Sequence, residues 1–475
     1  MLDSSLTLKD RLLSSFPQGG LVQRIAERLH RAGGRALVVG GAVRDALLGL
    51  PVKDMDLEVY GMTPEELQDA LAPDVTLDLV GASFGVFKVR HADIDIALPR
   101  RENKIGSGHR GFLVRPTPDL SIAEAAARRD ITINAIQADP LTGEVIDPWN
   151  GRQDLADGII RHVSDHFSED ALRVLRVMQF SARFDFDVAP ETVAFCRTMR
   201  QEELPQERLA MEWEKLLLKG VTPSRGLRFL QDCGWLRYYP ELAALVGCPQ
   251  HPAWHPEGDV WTHTLLALDH VVSRRSGQPD DDLVLALAVL CHDFGKPATT
   301  VAQSDGRLTS YNHEVIGEDR ARSFITRIWR QIDLPGKVLP LIRCHMRPIA
   351  MVLNQASDKA YRRLAVDAGR LDLLAKLVEC DILATLPADP DQALAPIRAF
   401  AERAHALDVA QQPPEPLIRG RDLLARGLTP GPHLGKILQA CYEAQLDGDF
   451  SDLAQGLAWL DQHPELLELP DDDTR

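Results

Sequence analysis

The chain has 475 residues, 45% of them hydrophobic and 26% charged, with a formal net charge of −16. This is the balance of a soluble globular protein, long enough for several domains and a substantial core. The longest apolar run, Leu283–Cys291, falls far short of the roughly 18 residues that span a bilayer. The seven cysteines are scattered singly, without a Cys-x-x-Cys pair, and the N-terminus carries no signal-peptide core. Those features lead to the expectation of a cytoplasmic protein with reduced thiols, no zinc ribbon and no membrane partner. The acidic total argues against a nucleic-acid binder, yet Arg100, Arg101, Lys104, Arg110, Arg115, Arg128 and Arg129 crowd one short stretch. A local basic face can still hold a phosphate backbone.

In chain order, residues 1–34 read as a helical extension, with Val22, Ile25 and Leu29 at helical spacing. From 35 to 147, β-branched runs at Ala36–Val39, Met55–Val59, Val86–Val89, Ile94–Leu98 and Ile131–Ile133 alternate with helical patterns, which predicts an α/β head. The first run enters Gly40-Gly41 and a helix carrying Arg44, an arrangement that offers backbone N–H groups and a guanidinium to phosphate. Asp54 and Asp56 follow at i and i+2 on an apolar strand, so both carboxylates point to one face and need a counter-charge. A divalent ion is the usual one, and an all-oxygen site suits Mg²⁺. Asp95, on the strand Ile94–Leu98, is placed to reach the same ion. Phosphate cradle and metal carboxylates together point to nucleotidyl transfer. The glycine-bearing stretch Leu98–Phe112 reads as a mobile loop between strand and helix.

Beyond residue 148 the pattern is helical. In Arg128-Arg129-Asp130, arginines suit a triphosphate and the aspartate a ribose hydroxyl. A helix over Glu169–Phe184 places Asp170, Arg173 and Arg176 on one stripe. Side by side, a carboxylate and a guanidinium match the edge of a free base, which permits nucleotide choice without a template. The proline-rich segment Cys248–Pro256 marks a domain boundary. In the helical unit that follows stand His263, His292, Asp293, His313, His345 and Asp381, each at or beside an apolar helical stretch. Such a set can hold two divalent ions, with Asp293 as a central bridging carboxylate, and its nitrogen content admits nickel, manganese, cobalt or zinc. The remaining residues, 386–475, are helical, acidic and without chemical motifs.

The ordered set Gly40–Asp45, Asp54-Met55-Asp56, Arg128-Arg129-Asp130, Asp147–Gly151, Glu169-Asp170-x-x-Arg173 and Glu207-Arg208 resembles the class II tRNA nucleotidyltransferases, the bacterial CCA-adding enzymes. These belong to the polymerase-β-like superfamily, with poly(A) polymerases as relatives. The resemblance implies a nucleotidyltransferase head (35–147), an all-α neck and body that select the nucleotide and bind tRNA (148–250), and CTP and ATP as substrates. By position, Gly41 and Arg44 resemble the triphosphate-binding pair, and Asp54 and Asp56 the metal ligands. Asp95 stands where the family has a third acid. Arg129 and Asp130 resemble the ribose motif, Asp170 and Arg173 the base-selecting pair, and Arg176 the arginine one turn on; Gln179 stands where relatives tend to carry another arginine.

The later histidines resemble the HD phosphohydrolases over residues 251–385, which implies an all-α HD domain acting as phosphatase or 2′,3′-cyclic phosphodiesterase on RNA ends. The resulting expectation is a two-site enzyme of tRNA 3′ ends. Its alternatives are a CC-adding, A-adding or poly(A) enzyme, or a non-catalytic RNA- or nucleotide-binding regulator. The Leu98–Phe112 segment favours full CCA addition, since switching from C to A needs a mobile element.

Overall fold

The structure, a computed structural model, describes residues 7–79, 86–104, 112–117, 119–201 and 204–467. It divides into two compact units, Met1–Tyr238 and Tyr239–Arg475. Their boundary precedes the proline-rich segment, because Tyr239, Leu242 and Leu245 are buried with the second unit and Tyr239 packs edge-on against Phe324. Among the described residues no helix is long and apolar enough to cross a membrane.

In the first unit the strands are β1 (Arg35–Val39), β2 (Met55–Tyr60), β3 (Leu77–Leu79), β4 (Val86–Val89), β5 (Ile94–Ala97), β6 (Arg100–Lys104), β7 (Phe112–Pro116), β8 (Gln137–Ala138), β9 (Val145–Ile146), β10 (Ile159–Ile160) and β11 (Asp187–Val188). Seven of them form one mixed sheet in the order β3–β4–β5–β2–β1–β8–β9, and β10 and β11 form a short parallel pair. Within the large sheet only β2 and β5 are parallel, in a register that sets Asp56 opposite Asp95. Met55, Leu57 and Val59 of β2 and Ile94 and Ile96 of β5 are fully buried, so the alternate residues Asp56, Glu58 and Asp95 share the opposite face.

Three local expectations change. The Leu98–Phe112 segment is not a plain loop, for β6 and β7 pair as an antiparallel ribbon with Lys104 opposite Phe112. The charged β6 sequence has no apolar alternation that would signal this backbone pairing; Gly106, Gly108 and Gly111 lie outside the described residues. Ile131-Thr132-Ile133 is not a strand but an isolated bridge from Ile131 to His162 followed by a 3₁₀ turn at Thr132–Asn134. Asp130 causes this, accepting from the Ile131 N–H at 2.9 Å and from Asn134 Nδ2 at 3.0 Å and overriding β-branched propensity. The third change is at the helix expected over Glu169–Phe184, which begins only at Leu172. Asp170 is extended and its carboxylate accepts from the Leu172 N–H at 3.0 Å, so it precedes the helix and leaves the expected stripe.

Helices Leu172–Phe184, Pro190–Thr198, Gln206–Glu214 and Pro223–Asp232 complete the unit, with a π-helical turn at Lys215–Lys219. Helix Pro223–Asp232 lies so close to Leu172–Phe184 that a Cβ at Gly226 would stand 2.5 Å from the Met178 carbonyl. In the second unit, helices Val260–Val271, Pro279–Cys291, His313–Ile328, Leu334–Cys344 and Leu371–Ala384 pack around a common core. The C-terminal stretch builds a smaller core from Ile418, Leu423, Ile437, Cys441, Phe450 and Leu460.

Trp235 is fully buried, and its Nε1 donates to the Cys196 carbonyl at 2.9 Å. Trp235→Phe leaves that carbonyl unpaired and should lower the stability of the first unit by about 1–3 kcal/mol, measured as an earlier urea midpoint of its unfolding transition.

Candidate functional site

Strand β1 ends at Val39, and Gly40 turns the chain with φ at +75°, a conformation that favours glycine. A Cβ there would stand 3.6 Å from Asp56 Oδ2 and 3.3 Å from Arg129 Nη1, so the turn lies directly on the acidic face. Gly40, Gly41, Asp54, Asp56, Arg129 and Asp130 line one cavity of about 500 Å³. Its far wall carries Arg176, Phe180 and Arg183 from helix Leu172–Phe184, together with Lys215 and Lys219. A second cavity, of about 350 Å³, shares Asp56 and Arg129 and adds Glu58, Asp95, Arg128 and Arg173.

Enclosure by the protein raises the Asp56 carboxyl to about 6, with Arg129 opposing the rise and Asp54 and Asp95 adding to it. That crowding is what a divalent cation relieves, so the Asp54–Asp56 pair fits such an ion. Asp95 stands apart. Among the described residues, Asp54, Asp56 and Asp95 do not form a triplet with ligand atoms within 4.8 Å of one another, and Asp95 pairs with Lys88 at 3.6 Å.

The arginines divide by what they hold. Arg44 is 3% exposed. Its Nε and Nη2 donate to Asp45 Oδ1 at 2.9 and 2.7 Å, its Nη1 donates to Asn134, and the guanidinium lies over Phe184. Three donors are thus committed to bracing the turn. Arg176 Nε donates to Asp130 Oδ2 at 2.7 Å. Burial opposes charge on Asp130, yet Arg176, Asn134 and the Ile131 N–H outweigh it and hold the carboxyl down at about 2. Asp170 accepts from Arg208 at 2.7 Å, while Arg173 donates to the backbone carbonyls of His166 and Arg128.

In the second unit the six histidines and aspartates come together. His292 Nδ1 donates to the Val289 carbonyl at 2.7 Å, His313 Nδ1 to Ser310 at 2.8 Å and His345 Nδ1 to Ile342 at 2.6 Å. A carbonyl only accepts, so these three rings carry their proton on Nδ1 and turn an Nε2 lone pair inward. His313 and His345 bring those lone pairs within 3.2 Å of each other. Asp293 lies between the rings, 3.3 Å from His292 Nε2 and 3.4 Å from His313 Nε2. Asp381 stands 3.0 Å from His263 Nε2 and 3.8 Å from that of His292. Ligand atoms close to within 4.8 Å in two groups, His263–His292–Asp381 and Asp293–His313–His345.

The Nε2 atoms of His263 and His292 and both Asp293 oxygens are buried without a well-formed hydrogen bond, although Lys296 Nζ lies 2.7 Å from Asp293 Oδ2. Nitrogens bound tetrahedrally to one ion stand roughly 3.3 Å apart. Facing lone pairs and orphaned carboxylate oxygens therefore fit divalent cations. Burial pushes the His345 ring down to about 4 and keeps it neutral, as a ligand requires.

Residues 36–161 match the family model described as the poly A polymerase head domain. Residues 185–245 match the probable RNA and SrmB-binding site of polymerase A. The chain is 39% identical over 361 residues to the multifunctional CCA protein of Aromatoleum aromaticum, spanning 73% of this chain and 84% of that protein. It is 36% identical over 403 residues to the namesake from Laribacter hongkongensis, spanning 80% and 94%. This chain belongs to the multifunctional CCA protein family. The fold is that of the Bacillus stearothermophilus CCA-adding enzyme solved with CTP, at a TM-score of 0.62, 24% identity and coverage of 95% and 99%. A Thermotoga maritima CCA-adding enzyme complexed with tRNA shares it at a TM-score of 0.58, with 19% identity and coverage of 96% and 99%.

Within this family member, sequence reasoning missed several residues that the fold brings to the sites. Arg183 lies seven positions after Arg176 and three after Phe180, a helical spacing that was legible. Lys53, Lys215 and Lys219 gave no signal, because only the π turn and the cavity wall assemble them. Glu257, which accepts from His263 Nδ1 at 2.7 Å, and Lys296, beside Asp293, were equally silent.

Arg176→Met strips Asp130, 8% exposed, of its main cation. The loss should be about 2–3 kcal/mol at pH 7, discounted because Arg176 is 32% exposed. A carboxyl held down at about 2 stabilises the fold fully above the unfolded value near 4, and that contribution fades as pH falls toward 2. In the variant the buried carboxyl titrates upward and regains stability on protonation. Denaturant midpoints of the two proteins should therefore converge between pH 7 and pH 4.

Proposed function

We propose that this protein is a two-site enzyme of tRNA 3′ ends: its first unit adds CCA without a template, from CTP and ATP, and its second hydrolyses phosphoesters. The first part is carried by one observation. A single cavity is lined by the glycine turn, the Asp54–Asp56 pair and a wall of Arg176, Arg183, Lys215 and Lys219. That is the equipment for holding a nucleoside triphosphate against a metal-binding carboxylate pair.

Asp54 and Asp56 hold Mg²⁺, which when bound neutralises phosphate charge and acidifies the attacking 3′-hydroxyl. The chain's own groups position everything else. The Gly40-Gly41 turn lets the nucleotide approach the backbone, with Arg44, itself on the cavity lining, bracing the turn. Arg129 and the cations of the far wall take the triphosphate and favour departure of pyrophosphate from the α-phosphorus. Asp130, kept ionised by Arg176, accepts from a ribose hydroxyl. Asp170 and Arg173 read the base, each oriented by its own partner, Arg208 for the carboxylate and two carbonyls for the guanidinium. Asp95 tunes Asp56 from the next strand instead of serving as a third ligand.

The second activity rests on the inward-facing lone pairs of the histidine cluster. His263, His292, Asp293, His313, His345 and Asp381 hold divalent transition metal, which when bound supplies an acidic water and polarises a phosphoester. Lys296, beside Asp293, offers a further cation to the non-bridging oxygens of the phosphoester. A 2′,3′-cyclic phosphate at an RNA end is the substrate this reading favours. All seven cysteines are unpaired and buried, in keeping with a cytoplasmic enzyme.

The direct test is incubation with tRNA lacking its 3′ CCA, plus CTP and ATP, followed by sequencing of the 3′ ends. Full CCA supports the reading; CC alone, A alone or a poly(A) tract identifies the specialised alternative, and no extension overturns it. Asp54→Ala and Asp56→Ala should each lower addition by three orders of magnitude or more, on the order of a lost metal site, with cyclic-phosphate hydrolysis retained. Asp293→Ala should do the reverse.

Asp170→Ala or Arg173→Ala leaves a base-edge hydrogen bond unmatched, a loss of about 1–3 kcal/mol. Misincorporation of UTP and GTP should then rise by roughly 10- to 100-fold. Unchanged fidelity in sequenced products of both variants would remove these residues from base selection.

A further inference from the structure

The two halves of the histidine–aspartate cluster are built differently behind the ligands. His292, His313 and His345 donate Nδ1 to neutral backbone carbonyls. His263 alone donates Nδ1 to a carboxylate, Glu257 Oε1, at 2.7 Å. The Glu257 side chain is wholly buried, and its Oε2 has no hydrogen-bond partner. Oε1 also accepts from His255 Nδ1 at 2.8 Å, and the His255 ring packs edge-on against His263 with centroids 5.1 Å apart. His255, Glu257 and His263 themselves satisfy the distances of a ligand group. Both Nδ1 atoms are spent on the same carboxylate oxygen, so this trio is a brace for His263, not a third site.

A carboxylate behind an imidazole fixes its orientation and makes the far nitrogen a stronger donor. Asp293 is shared between the halves, its Oδ2 lying 3.3 Å from His292 Nε2 and 2.7 Å from the Lys296 ammonium and its Oδ1 3.4 Å from His313 Nε2, while Asp381 lies 3.0 Å from His263 Nε2 and adds a second carboxylate on that side. We propose that Glu257 is a positioning residue that makes His263–His292–Asp381 the tighter of two divalent-cation sites. That half fills first, and Asp293–His313–His345 fills second. The inference rests on the reading of this cluster as a metal centre.

The test uses the full chain carrying Asp54→Asn and Asp56→Asn, so that the other carboxylate site does not compete. Metal-stripped protein is titrated with cobalt(II) and followed by visible absorption, which reports nitrogen ligation directly. Two steps are expected, with affinities at least tenfold apart. Glu257→Gln should weaken the first step by about 10- to 100-fold and leave the second in place. His263→Ala should abolish the tight step and His313→Ala the weak one, which keeps the test open should Glu257→Gln not fold. A single step in the parent protein overturns the assignment, as does an equal effect of Glu257→Gln on both steps or loss of the tight step in His313→Ala. Absence of any cobalt binding overturns the metal-centre reading beneath it.

Discussion

Strand β2 buries Met55, Leu57 and Val59, and because successive strand residues face opposite ways, that burial sends Asp56 and Glu58 to the other side of the sheet. The rest of the first unit is arranged around this constraint. The parallel pairing with β5 adds Asp95 to the same face, and the Gly40 turn at the end of neighbouring β1 comes within a methyl group's reach of Asp56. Like charges gathered this way are unfavourable without a cation. Burial is the main cause that raises the Asp56 carboxyl, Asp54 and Asp95 add to the rise, and Arg129 offsets only part of it. An acidic face of this kind is stable in the folded chain because hydrophobic burial on the opposite face outweighs it.

Two buried charges beside that face are met by the protein. Arg44 is braced by Asp45, Asn134 and the rings of Phe180 and Phe184, and Asp130 by Arg176, Asn134 and the Ile131 N–H. Asn134 belongs to both networks, so the glycine turn and the Asp130 corner are held as one body. These charges are met by the protein, in contrast to the crowded acid on the sheet face.

The second unit applies the same division to histidine. Each of the four rings spends Nδ1 on an outer acceptor and presents Nε2 inward, toward Asp293 and Asp381. The close approach of helix His313–Ile328 to the turn after Asp293 requires glycine, since a Cβ at Gly295 would lie 2.0 Å from the His313 carbonyl. Backbone packing and ligand geometry are thereby coupled, and the ring of His313 reaches Asp293 only because Gly295 has no side chain.

Sequence by itself determined which residue types could do the chemistry. Asp54 and Asp56 stood out by their spacing, although β2 begins only at Met55 and leaves Asp54 just before it, the ordered motifs identified the family, and the six histidines and aspartates were legible by type and order. It also determined an α/β head followed by helices, because hydrophobic periodicity is a local property. What it could not carry were outcomes set by partners distant along the chain. Ile131–Ile133 has strand propensity, yet Asp130 and Asn134 fold it into a 3₁₀ turn. Asp170 fits a helical stripe, yet it stands before the helix with its carboxylate accepting from the Leu172 N–H. The Leu98–Phe112 segment lacks apolar alternation, yet its backbone pairs across the ribbon. Lys215 and Lys219 join Arg183 at one cavity, and Glu257 reaches behind His263, only in the folded chain. Burial pattern is written locally in the order of residues, but which polar group answers which is decided by proximity in three dimensions, and only the tertiary structure supplies that.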